Sequence, residues 1–144
     1  MLKLLSILGY LLMIPGLVFL VLTRNLFSSA PVVIVVQALA LTLFLWARIT
    51  FGRRSFHASA DPTEGGLVTH GPYRYIRHPI YTAVCVFVWA GILAHLSWKT
   101  ALCGALILAG AMLRIFCEET LVTARYPEYR QYAARTWRMV PFVF

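Results

Sequence analysis

A chain of 144 residues that is 60% hydrophobic and only 12% charged, with a mean hydropathy of +0.77, is too apolar for a soluble domain, in which about a quarter of the residues carry charge. Its formal charge of +8 does not point to nucleic acid, because basic residues beside membrane helices set topology and meet anionic lipid. Cys85, Cys103 and Cys117 fall in apolar stretches without metal-ligand spacing, so they read as small core residues, with neither a disulfide nor a metal site expected.

Four segments read as spans. The first covers Leu4 to Leu22 and contains Pro15-Gly16, a kink that neighbouring helices can tolerate. Its apolar run is longer than a signal-peptide core, and Pro31 follows the small residues Ser28-Ser29-Ala30, so a retained first helix is expected. The second span covers Pro31 to Ile49, with Pro31 suited to the first turn. The third covers Pro79 to Ala94, short for a span, and the fourth Trp98 to Phe116. Only His95-Leu96-Ser97 separates these two, which predicts a tight antiparallel hairpin.

Charge fixes the expected orientation. With four spans, the side holding both termini and the connection from Thr50 to His78 carries Lys3, Arg48, Arg53, Arg54, Arg74, Arg77, Arg114, Arg125, Arg130, Arg135 and Arg138, against Arg24 and Lys99 on the other. The positive-inside rule makes the first side cytoplasmic. All the acids, Asp61, Glu64, Glu118, Glu119 and Glu128, share it. The fold class is therefore all-α integral membrane: four transmembrane helices in one domain over 1–144, a cytoplasmic cap loop and a short C-terminal helix. Within the long connection, Arg53 to Gly66 is mixed polar and suits a mobile segment, whereas Val68 to Tyr81 suits an ordered cap. Past the fourth span, Glu118 to Ala124 can continue the helix, Tyr126-Pro127 breaks it, and Pro127-Glu128 can start another whose Tyr129, Tyr132, Ala133 and Trp137 make an aromatic face. That face fits either an interfacial anchor or part of a site.

Two clusters can carry chemistry. Pro79 at the first helical position puts Arg77 and His78 at the N-terminal mouth of the third span, where free N–H groups and the positive dipole end already favour an anion. The alternative use of Arg77 is to reach lipid phosphate. Glu118-Glu119 sits at the opposite kind of helix end and meets the negative dipole, at a cost of about 0.3–1 kcal/mol each. Arg114 and Arg125 lie close enough in sequence to offset part of that cost. Consecutive helical positions point about 100° apart, so one glutamate can pair with arginine while the other faces a cavity; a purely structural ion-pair network is the alternative. The hairpin brings both clusters to one membrane surface, matching a ligand that carries an ammonium and a carboxylate.

The run Gly71-Pro72-Tyr73-Arg74-Tyr75-Ile76-Arg77-His78-Pro79-Ile80-Tyr81, followed by Glu118-Glu119-x-Leu121 and Tyr126-x-x-Tyr129, resembles the isoprenylcysteine carboxyl methyltransferase family, which takes in related phospholipid and thiol methyltransferases. The resemblance covers Leu67 to Pro141, and the two motifs together are specific. It implies a membrane enzyme that takes S-adenosylmethionine from the cytosol and a lipophilic acceptor from the bilayer, with the cofactor region at 67–81 and 114–141. His78 and Pro79 would contact the cofactor, His70, Tyr73 and Tyr81 would line its pocket, and Glu118 or Glu119 would hold its polar groups. Arg77, Arg114 and Glu118 are the catalytic candidates, the arginines neutralising an acceptor carboxylate or ordering the site. Ala83 stands where many relatives have glycine. The chain is shorter than eukaryotic members, which points to a prokaryotic cytoplasmic-membrane protein acting on a small lipophilic carboxylate or thiol; phospholipid N-methylation is the alternative. From another class, a small transporter is disfavoured because no acid or lysine lies near a span centre, and a non-catalytic lipid-binding relative is disfavoured by intact motifs. No nucleic-acid partner is expected, and oligomeric state stays open.

Overall fold

The computed structural model describes residues 2–52 and 66–143. The mobile stretch expected from Arg53 to Gly66 therefore falls, apart from Gly66, outside the described residues. Five α-helices follow in order: α1 (Leu2–Leu22), α2 (Pro31–Phe51), α3 (Pro79–Ala94), α4 (Trp98–Arg125) and α5 (Tyr129–Ala133), with a 3₁₀ turn at Gly71–Arg74 before α3. No β-strand occurs among the described residues; the sole ladder feature there is an isolated parallel bridge between Ile76 and Trp137.

Among the described residues, three helices, α1, α2 and α4, are long and apolar enough to cross a membrane. α3 has 16 residues, about 24 Å at 1.5 Å per residue, against a hydrocarbon core of about 30 Å. α1 runs unbroken through Pro15, so the expected kink does not end the helix. α4 has 28 residues, about 42 Å, and its last two turns project beyond a core entered at Trp98. Ser97 starts it with a capping box: Ser97 Oγ accepts from the Thr100 N–H at 3.2 Å while the Ser97 N–H donates to Thr100 Oγ1 at 2.9 Å. That box satisfies two donors which the first turn cannot.

The packing differs from a simple hairpin. α4 lies most extensively against α1 and α3 against α2, while α3 and α4 touch each other far less. Small residues explain the choice. A Cβ on Gly110 would stand 2.5 Å from the Gly9 carbonyl oxygen, and one on Gly16 would stand 3.2 Å from the Cys103 carbonyl oxygen. Close backbone approach of this kind replaces the hydrophobic effect as the source of helix affinity in lipid. Outer faces of α1 and α2 remain apolar and exposed, through Leu11, Ile14, Leu17, Val32, Leu39 and Ile49, as a bilayer requires.

At the end away from the 3₁₀ turn, Gln37 is buried in α2 and its Nε2 donates to the carbonyls of Leu26 (2.8 Å) and Phe87 (3.2 Å). His95 Nε2 donates to the Phe27 carbonyl at 2.8 Å. The α1–α2 connection is thereby tied to the end of α3. Leu20, Leu26, Val88, Ile92, Cys103 and Ile107 form the core beneath it. A second core, Cys85, Ala111, Ile115 and Met139, lies under the polar end and is closed by a residue from the C-terminal tail. Cys85, Cys103 and Cys117 are buried free thiols, as their apolar settings imply.

Candidate functional site

The charged side chains of the two motifs converge where α3 begins and α4 ends. The preceding loop is shaped first by Gly71, whose φ of +58° is the left-handed conformation that favours glycine and whose Cβ position would fall 2.7 Å from Thr50 Oγ1 on α2. The 3₁₀ turn that follows buries Pro72 and Tyr73, and Tyr73 packs its ring at 5.4 Å from Phe51. Pro79 takes the first position of α3 and His78 its N-cap, with no side chain capping the helix. The C-terminal tail then clamps the loop: the N–H groups of Arg77 and His78 donate to the carbonyls of Trp137 (2.8 Å) and Arg138 (3.0 Å), and Trp137 N–H donates to the Tyr75 carbonyl (3.0 Å). Tyr132 Oη donates to the Tyr73 carbonyl at 2.7 Å, and Thr82 Oγ1 reaches the Met139 carbonyl at 2.9 Å.

Glu119 is the hub on the tail side. Its Oε1 accepts from Arg77 Nε at 2.9 Å, His78 Nε2 at 3.2 Å and Tyr129 Oη at 3.3 Å, while Oε2 accepts from Arg138 Nε at 3.1 Å and Nη2 at 3.0 Å. Arg77 Nη1 donates in addition to the Ala133 and Thr136 carbonyls, so one side chain joins the loop, α4 and α5. Two guanidiniums on one half-buried carboxylate are a charge-assisted network, which offsets the dipole penalty at this helix end.

Glu118 is the hub on the bundle side. Its Oε1 accepts from Tyr81 Oη at 2.5 Å and Arg114 Nη2 at 3.0 Å, and Arg114 Nε donates to Tyr81 Oη at 2.6 Å. Arg114 is 2% exposed. Its Nη1 donates to the Ser6 carbonyl at 2.9 Å, and the guanidinium lies 3.6 Å from the Tyr10 ring centroid. Glu118 Oε2 faces His78 Nδ1 at 3.8 Å, too long for a hydrogen bond, and the Glu118 side chain stays 26% exposed. Burial above all, then Tyr132 and Glu118, pushes the Tyr73 hydroxyl above the usual phenol range, with Arg48 opposing. Burial and Glu119 do the same to Tyr129, and Tyr132 is pushed up to about 12 by burial first. These three phenols are therefore neutral donors at physiological pH.

The structure thus brings Tyr73, Arg77, His78, Pro79, Tyr81, Arg114, Glu118 and Glu119 together. His70 is exposed and contributes its carbonyl, which accepts from the Tyr73 N–H at 3.2 Å. Both glutamates bond arginine, rather than one alone. Arg125 does not reach Glu119's network and lies over the Tyr126 ring at 5.8 Å. Among the participants not singled out as site residues from the sequence are Ser6, Tyr10, Arg138 and Met139. Ser6, Gly9 and Tyr10, at helical spacing on α1, were the available signal for the first two; Arg138 and Met139 had none.

An open groove of about 560 Å³ lies on the Glu119 side, with Arg77, Phe116, Ala124, Arg130 and Arg138 among its lining residues. His78, Tyr81 and Glu118 do not line it.

An α-helical membrane bundle with a buried arginine–histidine–glutamate network at one end is the class of protein that the fold and site define. The profile of the phospholipid methyltransferase family matches residues 27–129, and the chain belongs to that family. This bears out the family-level resemblance carried by the Gly71–Tyr81 and Glu118-Glu119 motifs. Among curated proteins, the nickel-cobalt-cadmium resistance protein NccN of Alcaligenes xylosoxydans xylosoxydans is 38% identical over 78 residues, covering 52% of this chain and 36% of NccN. The match thus spans little more than a third of that relative's length. No solved structure matches the chain.

Proposed function

We propose that the chain transfers a methyl group from S-adenosylmethionine to a lipophilic acceptor at the cytoplasmic membrane surface, with α1 to α4 as four spans and both termini on the cytoplasmic side. The observation that carries this reading is the joining of the two family motifs into one network through Tyr81–Glu118 and His78–Glu119. S-adenosylmethionine, when bound, supplies an electrophilic methyl on a sulfonium flanked by an ammonium and a carboxylate.

The residues present fit such a group on the Glu118 side. Glu118 Oε2 has acceptor capacity left for an ammonium or a ribose hydroxyl. The N–H groups of Ile80 and Tyr81 have no partner within α3, since Thr82 is the first to donate back, to the His78 carbonyl; such a helix mouth suits a carboxylate. Tyr81 and Arg114 hold Glu118 in one orientation, and Tyr73 sits within its electrostatic reach. What the protein contributes is alignment and exclusion of water. An ionised carboxylate or thiolate acceptor needs no base, which accords with a site whose arginines are all committed to structure. The family's description favours a second reading, phospholipid N-methylation, in which an amine must first lose its proton and His78, between the two carboxylates, is the residue placed to take it.

Arg114 was a catalytic candidate on sequence. Its burial and the bonds from each of its guanidinium nitrogens make it a positioning residue in this proposal, acting through Tyr81 and Glu118. NccN's name describes that protein's metal resistance; among the described residues no cluster of three or more His, Cys, Asp or Glu side chains is placed to hold a metal ion.

Calorimetry of S-adenosylmethionine binding to the purified chain tests the reading. Saturable binding that Glu118→Gln weakens at least tenfold, while the thermal midpoint moves by only a few degrees, is expected. No binding by the wild type, or unchanged affinity in the variant, would sink it. Methyl-labelled cofactor incubated with membranes then identifies the acceptor.

A further inference from the structure

The groove on the Glu119 side is not lined by Glu118, Tyr81 or His78, and its chemistry is of a different kind. Three cations, Arg77, Arg130 and Arg138, line it with one carboxylate, Glu119. Arg77 and Arg138 are spent on Glu119. Arg130 is exposed, and among the described residues its guanidinium has no ion-pair or hydrogen-bond partner. The floor is apolar: Phe116, Ala124 and Ala133 line it, and Phe116 is 63% exposed. The hydroxyls of Thr120 and Thr123 donate to the Phe116 and Glu119 carbonyls on their own helix, which leaves the floor without outward donors.

Depth decides what can occupy such a place. Entering the bilayer at Trp98, an aromatic suited to the interface, α4 crosses about 30 Å of hydrocarbon in about 20 residues. Phe116 therefore stands at the inner edge of the apolar core, and Thr120 to Ala124 stand at headgroup level. The groove thus runs from a lipid-facing phenyl ring up to an arginine that has no counter-ion among the described residues, and its lining holds three positive side chains against one negative. An uncharged or zwitterionic headgroup leaves that imbalance; an anionic one cancels part of it.

We propose that this groove is a binding site for one anionic phospholipid of the bilayer, its phosphate on Arg130 with Arg138 beside it, and an acyl chain descending over Phe116. The groove shares Arg77 and Glu119 with the network of the two motifs, but the lipid proposal does not rest on the cofactor reading. Contact with a single surface arginine is worth about fivefold in affinity for an anionic lipid.

The test titrates the purified full chain with phosphatidylglycerol and, separately, with phosphatidylcholine of the same acyl chains, counting retained lipid by native mass spectrometry. One phosphatidylglycerol held about fivefold more tightly than phosphatidylcholine is expected. Arg130→Gln should bring the two lipids to near parity at an unchanged thermal midpoint, and Arg135→Gln, an exposed arginine away from the groove, should preserve the difference. Equal retention by the wild type, or a preference that survives Arg130→Gln, overturns the proposal. An equal loss in Arg135→Gln overturns it too, by showing general attraction to a basic surface.

Discussion

Replacing Arg114 by methionine keeps the aliphatic stem and removes the guanidinium, and with it the contacts to Tyr81, Ser6, Glu118 and the Tyr10 ring. Breaking a buried ion pair by deleting one partner costs about 3–5 kcal/mol. Glu118 is 26% exposed, so water takes over part of the lost interaction and lowers the ion-pair share to about 2 kcal/mol. Loss of a desolvated cation–π stack adds about 1 kcal/mol. The sum, about 3 kcal/mol, corresponds to a fall of roughly 6–12 °C in the unfolding midpoint of a chain this size. Thermal unfolding in detergent, read for Arg114→Met, Glu118→Gln and the double variant, forms a cycle. Once Glu118 has lost its charge, deleting Arg114 should cost about 1–2 kcal/mol less than it does in the wild type. A midpoint within a degree of wild type for Arg114→Met, or strictly additive changes, would show that the guanidinium does not organise Glu118.

Glu119→Gln should loosen the tail rather than the bundle, because Arg77, Arg138 and Tyr129 all meet on that carboxylate. The expected result is faster proteolysis between Tyr126 and Met139 with the transmembrane fragments intact; equal cleavage rates would refute it. Gly91→Ala places a methyl within 2.1 Å of the Leu26 carbonyl oxygen, a backbone atom held by Gln37. Overpacking of this kind costs about 1–3 kcal/mol, and a midpoint equal to wild type would show that the α1–α2 connection yields freely.

The helices themselves were legible because bilayer-length apolar runs have few other uses. Their partners were not. The short His95–Ser97 link pointed to α3 on α4, yet α4 chooses α1 because Gly9 and Gly110 let two backbones meet, a property of two glycines far apart in sequence. At the site, both halves announced themselves by being electrostatically out of place: cations at a helix N-terminus and acids at a C-terminus. Arg77, His78, Glu118 and Glu119 could be found on that ground, whereas Tyr81 was legible through the family resemblance. Arg138 could not, since an arginine in a basic tail has no distinguishing mark until the fold lays it on Glu119. Ser6 enters through its carbonyl, which any residue type would supply, so only its small side chain hinted at a close neighbour. Arg114's part changed for a related reason: the sequence shows a charge near the membrane surface, but not that each of its guanidinium nitrogens is already engaged.

The tail's hold on the loop before α3 bears on how the protein comes into being. Trp137 and Arg138 accept the backbone bonds that fix Arg77 and His78, so the residues that lock the mouth are synthesised after α1 to α4. A ribosome that has delivered α1 to α4 has made both glutamates and both halves of the motif, yet holds them unfastened. Chains stalled after Arg125 should therefore be inserted and protease-sensitive at the Gly71–His78 loop, and protection of that loop in such chains would show that the bundle alone sets it. Assembly of the site thus waits until the tail has been made as far as Arg138, when that segment closes back on the loop before α3.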